Sequence, residues 1–134
     1  MNEPGTIQVS HTYSLSPAQV WSALTEPARL ARWWAPGDIA PVVGHSFELD
    51  MKAWGKQPCV VLAVEPEKLL RFKFSAGRLD TTITWEVSPK GTGTQLTLTH
   101  DGFDMLSPMG KAAFDGMKQG WPDVLARLAA AAAD

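Results

Sequence analysis

The sequence predicts an α+β fold: a curved antiparallel sheet of about six strands wrapped on one long C-terminal helix, with two short helices after the first strand. Three observations carry this. The stretch from Ser107 to Ala133 repeats apolar and small residues at helical spacing through about seven turns. Between Ser46 and His100, runs of strand character, most of them alternating, are separated by short Gly- or Pro-containing turns, so successive strands are antiparallel. Only the last helix is long enough to cover such a sheet, so the sheet must curl around it.

Met1 to Gly5 is expected to be loose. From Thr6 to Tyr13 polar and apolar residues alternate, with Ile7, Val9, His11 and Tyr13 on one face of a half-buried first strand. Ser16 then caps a helix, Pro17 takes its first position, Gln19 completes a capping box, and Leu15 can staple onto Val20. This helix ends near Leu24 or Thr25. Glu26 and Pro27 restart the chain into a second short helix carrying Leu30, Trp33 and Trp34, which Pro36 and Gly37 stop.

Ser46 to Met51 alternates, with Phe47, Leu49 and Met51 set against Glu48 and Asp50; Gly55 marks a turn. Pro58 to Glu65 is apolar on both faces, and residues 65–68 turn. Leu70, Phe72 and Phe74 point inward from the next strand, Ile83, Trp85 and Val87 from the one after it. Pro89, Lys90 and Gly91 are expected to turn into a last strand, Thr92 to His100, with Leu96 and Leu98 inward. Glu48, Asp50 and Arg71 alternate outward and read as solvated.

The final helix starts at Ser107, an N-cap before Pro108. Its expected buried face is Met109, Ala112, Ala113, Gly116, Met117, Gly120, Trp121, Val124, Leu125, Leu128 and Ala132. Gly116 and Gly120 on that face each cost about 1 kcal/mol against alanine, and Pro122 removes a backbone hydrogen bond and should bend the axis. The preferred reading is one kinked helix with a bared inner strip facing a cavity; the alternative is a break at Gly120 and a second helix from Trp121 or Pro122.

At 134 residues the chain is expected to form one domain with a core that needs neither metal nor disulfide. It is 45% hydrophobic and 19% charged, which excludes disorder as the main state. A net charge of −2 without any basic run argues against nucleic acid as a partner. No stretch reaches the roughly 18 apolar residues of a membrane span, and Met1 to Ser10 lacks the basic start and apolar run of a signal peptide. Cys59 is the single cysteine, so no disulfide forms within the chain and a cytoplasmic setting fits. Six tryptophans exceed what a minimal core needs and motivate the search for a binding cavity.

Three separated pieces carry a family resemblance: Leu15-Ser-Pro-Ala-Gln-Val-Trp-Ser-Ala-Leu-Thr-Glu-Pro27 with Leu30 and Trp33-Trp34; Gly93-Thr-Gln-Leu-Thr-Leu-Thr-His-Asp-Gly-Phe103; and Gly120-Trp121 with Leu125 and Leu128. Together they resemble the heat-shock-protein ATPase activator-like branch of the START-like (SRPBCC) superfamily, which also holds polyketide cyclase/aromatases, lipid-transfer domains and the birch-pollen allergen fold. The resemblance covers the chain from about Thr6 to the last helix. It implies the helix-grip fold, in which the deep apolar cavity between sheet and helix can hold a sterol, lipid, polyketide or hormone. Pro122 departs from the family motif, where the helix after the glycine-tryptophan pair is uninterrupted; this bears on the straightness of the helix.

For chemistry, the sequence offers no phosphate loop, no nucleophile elbow, and no two Cys or His residues at metal spacing. No metal or cofactor is expected. His100 shares the face of Leu96 and Leu98; it is a weak catalytic candidate or a polar anchor in the cavity, with a hydrogen-bonded strand-end histidine as the plainer alternative. The family's pairing of first and last strands would bring His11 near it. The expected ligand-binding residues are Trp33, Trp34, Trp54, Phe72, Phe74, Trp85, His100, Phe103, Met105, Met117 and Trp121, with a cavity mouth near Trp34, Trp54, the loop from Gly102 to Pro108 and the start of the long helix.

Two functions compete: binding a small hydrophobic molecule without catalysis, and a cyclase- or hydrolase-like enzyme acting in the same cavity. An acid or base with a displaced pKa inside the cavity would favour the enzyme, an apolar lining the carrier. A chaperone-associated interaction module is implied by the family name alone. The protein is expected to be a monomer or homodimer.

Overall fold

The computed structural model describes residues 5–52 and 55–132. Met1 to Pro4 of the expected loose start, and Trp54 of the expected cavity mouth, lie outside those residues. Gly5, counted above with the loose start, is instead buried, and its carbonyl accepts the Phe103 N–H at 3.4 Å.

The elements run β1 (Ile7–Tyr13), α1 (Pro17–Thr25), α2 (Pro27–Trp33), β2 (Ser46–Asp50), β3 (Lys56–Glu65), β4 (Leu69–Phe74), β5 (Thr81–Lys90), β6 (Gly93–Asp101) and α3 (Pro108–Ala132). The local chemistry at α1 is as expected. Ser16 Oγ accepts the Gln19 N–H at 3.2 Å while Gln19 Oε1 accepts the Ser16 N–H at 2.9 Å, so two amides that the first turn cannot bond internally are satisfied. The Trp33 indole donates to the Ala23 carbonyl at 2.9 Å and locks α2 against α1.

The six strands form one antiparallel sheet in the order β1-β6-β5-β4-β3-β2. Three details go beyond the sequence expectation or differ from it. β5 runs through Pro89 and Lys90, paired with Thr94 and Gly93, so the turn is tighter than expected and uses Gly91 at φ +60°. Proline is tolerated there because the β4 partner has already ended opposite Glu86. β3, apolar on both faces as expected, carries a register shift between Val61 and Ala63, and Leu62 on its outward face is exposed. In the β1–β6 ladder Ile7 opposes His100 and His11 opposes Leu96. His11 therefore sits four residues along from His100, about 13 Å at strand rise, and the expected approach of the two histidines does not occur.

α3 is one helix through Pro122. Ser107 Oγ accepts the Gly110 N–H at 3.4 Å, the expected cap. Its second half buries Trp121, Leu125, Leu128 and Ala131, and the Tyr13 hydroxyl donates to the Leu125 carbonyl at 2.7 Å, pinning the helix to β1. The first half departs from the expected buried face: Met109, Ala112 and Gly116 are exposed, and Phe114, off that face, packs edge-on against Phe103 with centroids 5.5 Å apart. No packed layer covers this half on its groove side. It borders open space.

A candidate ligand-binding groove beside an aromatic core

The inward faces of β4, β5 and β6, the end of α2 and the middle of α3 converge on one aromatic cluster. Trp34 lies 5.1 Å from Trp121 and 6.2 Å from Trp85, centroid to centroid; Trp85 meets Trp121 edge-on at 5.6 Å and Trp33 at 5.7 Å. Phe72 and Phe74 flank Trp34 at 6.4 and 6.1 Å. Edge-to-face and tilted contacts at these distances are the favourable arrangements for aromatic quadrupoles. The middle of the molecule is therefore filled. The deep hollow expected between sheet and helix is replaced by packed rings, because α2, β5 and α3 together deliver four indoles to the place where the two layers meet.

Space remains beside this cluster, along the first half and middle of α3. One void of about 320 Å³ is bordered by Trp34, Asp50, Met51, Lys52, Gly116, Met117, Gly120, Trp121, Val124 and Arg127. A second, about 120 Å³, is bordered by Met51, Gln57, Phe74, Leu79, Ala112, Ala113, Gly116 and Met117. They adjoin along Met51, Gly116 and Met117. A Cβ added at Gly116 or Gly120 would meet no atom within 4 Å, so both glycines front open space.

Of the expected ligand residues, Trp34, Phe74, Met117 and Trp121 border the voids. Trp33, Phe72, Trp85, His100 and Phe103 are buried in the layer behind, and Met105 is half-buried against the core. The loop from Gly102 to Pro108, expected at the mouth, borders neither void; the opening is at Asp50 to Lys52 and the middle of α3.

His100 is fully engaged. An indole N–H can only donate, so the Trp121 contact at 3.2 Å makes His100 Nδ1 an acceptor. The proton is then on Nε2, which donates to Thr81 Oγ1 at 2.8 Å, and the Thr81 hydroxyl in turn donates to the Phe74 carbonyl at 3.3 Å. Burial lowers the His100 pKa from 6.5 to about 3, since a charged ring would lose its hydration. The ring is neutral at pH 7, with both nitrogens occupied. The same desolvation raises the Cys59 thiol to about 12 and pushes the Tyr13 phenol above its ordinary value. Among the described residues no three His, Cys, Asp or Glu side chains converge as a metal site, and no helix is long and apolar enough to cross a membrane.

The model of one protein family, described as activator of Hsp90 ATPase homolog 1-like protein, matches residues 14–133. The chain belongs to this family. Within the activator of Hsp90 ATPase homolog 1-like fold, the crystal structure of protein MLL2253 from Mesorhizobium loti is 33% identical with a TM-score of 0.83, over 94% of this chain and 95% of that one. CalU16 from Micromonospora echinospora is 26% identical with a TM-score of 0.75, over 92% of this chain and 71% of that one. The Aha1 dimer from Colwellia psychrerythraea, at 19% identity and a TM-score of 0.79 over 92% of each chain, shares the fold. No curated protein matches the chain.

In this member of the activator of Hsp90 ATPase homolog 1-like family, sequence reasoning did not find Lys52, Gln57, Leu79 and Arg127 at the groove, and took Asp50 as merely solvated. Asp50 is exposed, as alternation requires, yet it borders the larger void because β2 ends there. Arg127 lies off the apolar stripe of α3, and only the position of the β2–β3 connection puts it at an opening. The signal that was available, glycine on an otherwise apolar helix face, did mark the open side of α3.

Proposed function

We propose that this protein binds a small hydrophobic molecule in the groove between α3 and the ends of β2–β4, without catalysing its conversion. The observation that carries the reading is the pair of glycines on α3. Each lowers helix stability by about 1 kcal/mol relative to alanine, and neither is required by a close backbone approach, since nothing lies within 4 Å of either Cβ position. Glycine there keeps open a strip bordered by Trp34, Met51, Phe74, Met117 and Trp121, the apolar and aromatic lining by which small ligands are usually held. A binding rather than a catalytic role follows from the titratable groups. His100, Tyr13 and Cys59 are all neutral at pH 7, and His100 has both nitrogens committed to the fold. The acidic and basic side chains that border the groove, Asp50, Lys52 and Arg127, are on its exposed rim.

The test uses the neutral fluorescent dye N-phenyl-1-naphthylamine. The wild-type protein should bind it with quenching of tryptophan emission, and Gly116→Leu and Gly120→Leu should each weaken binding at least tenfold while leaving the fold intact by circular dichroism. Full dye affinity in both leucine variants would dismiss the groove as the site.

A further inference from the structure

The two voids differ in chemistry along α3. Near Ala112 and Gly116 the lining is Phe74, Leu79 and Ala113, with the Gln57 amide as its polar member. Near Gly120 the floor is Trp34, Trp121 and Val124, and the rim carries Lys52 and Arg127 with one carboxylate, Asp50. Two cations against one anion make this rim net positive in a chain whose net charge is −2. Among the described residues Arg29 and Glu26 form an ion pair, whereas Lys52 and Arg127 form none; Asp123, one turn before Arg127, does not reach it. Asp50 Oδ1 accepts the backbone N–H of Lys52 at 3.0 Å, which engages the one carboxylate and holds Lys52 at the opening with φ +58°.

We propose that the groove takes an amphipathic monocarboxylate, with its apolar body over Gly116 and Gly120 and its carboxylate between Arg127 and Lys52. The proposal rests on the groove reading above and adds the class of ligand. An uncharged ligand would leave both cations solvated and unused. A doubly charged phosphate would put two negative charges beside Asp50 where the rim offers a net of one positive. A single carboxylate matches the rim in charge, and the planar guanidinium fork fits its two oxygens. From Ala112 to Arg127 the helix spans about 22 Å, room for an extended chain on the order of a dozen carbons.

The experiment compares dodecanoate with 1-dodecanol as competitors of N-phenyl-1-naphthylamine at mildly alkaline pH, where the acid is ionised. In the wild type dodecanoate should displace the dye at roughly tenfold lower concentration than dodecanol, a preference that shrinks at high salt because exposed charges are screened within about 10 Å at 0.1 M. Arg127→Gln and Lys52→Gln should each reduce the preference of acid over alcohol severalfold, and together abolish it; Asp50→Asn should increase it. These three side chains are exposed, so the variants should fold, as circular dichroism will report. Equal affinity for acid and alcohol, or a preference that survives the double substitution, overturns the carboxylate site while leaving dye binding in place. Tighter binding of dodecyl phosphate than of dodecanoate overturns the ligand class. A wild-type protein that binds no dye removes both this inference and the groove reading.

Discussion

The Trp121 indole donates to His100 Nδ1 at 3.2 Å, across the boundary between α3 and β6. Because the donor is an N–H, the imidazole has one permitted tautomer, and its other nitrogen extends the chain of hydrogen bonds to Thr81 and the Phe74 carbonyl. Helix and three strands are thus joined through a neutral ring that is completely buried.

Acid should weaken that joint. His100 has a folded pKa of about 3 against 6.5 when unfolded, so between those values the unfolded chain binds the extra proton. Its contribution is fully present above pH 6.5 and declines as pH falls toward 3, by up to about 1.4 kcal/mol per pH unit. Urea unfolding at about pH 7.5 and about pH 4.5 measures it. His100→Gln, whose amide can accept from Trp121 and donate to Thr81, should show a flatter pH dependence; an identical slope in both proteins would assign the acid sensitivity elsewhere. His100→Ala should cost about 2–4 kcal/mol at neutral pH, since it leaves the buried Trp121 N–H without an acceptor, takes away the donor to Thr81 Oγ1 and opens a cavity.

Glycines of one chain should respond in opposite ways. Gly116→Ala fronts open space on an exposed helix position and should stabilise the protein by about 0.5–1 kcal/mol. Gly93→Ala would drive its methyl into the Tyr13 carbonyl oxygen, a backbone atom held in the β1–β6 ladder, and should destabilise by more than about 2 kcal/mol. Thermal unfolding of the two variants side by side checks the signs.

Tyr13 is the one tyrosine in the sequence, and burial raises its phenol above the ordinary value of 10.0. The fold favours the neutral form, so stability from this group is present below pH 10 and is lost as pH rises beyond it. Phenolate absorbance should therefore appear together with unfolding rather than ahead of it. Tyr13→Phe, which removes the bond to the Leu125 carbonyl, should cost about 1 kcal/mol; phenolate formation in a still-folded protein would contradict the buried bond.

Cys59 is equally well placed as a reporter. Its thiol is buried, shifted to about 12, and donates to the Gln57 carbonyl at 3.4 Å. Since the thiolate is the reactive form, a thiol reagent should label the native protein only at the rate of unfolding. Labelling that keeps pace with an unfolded control in native buffer would show the β3 face to be open.

Local chemistry was legible in the sequence: the Ser16 to Gln19 capping box, the alternation that turns Phe72, Phe74 and Trp85 inward, and a single helix from Pro108. These follow from backbone hydrogen bonding and side-chain periodicity, which act over a few residues. Periodicity also placed His100 inward and glycine on the apolar side of α3, but it could not say whether the indoles would line a hollow or fill it. That depended on tertiary packing, where α2 carries Trp33 and Trp34 against Trp85 and Trp121 and closes the centre. The β1–β6 register, which parts His11 from His100, and the arrival of Lys52 and Arg127 at one opening were decided there too. Both join residues distant in sequence, and only the assembled sheet and helix determine which of them meet.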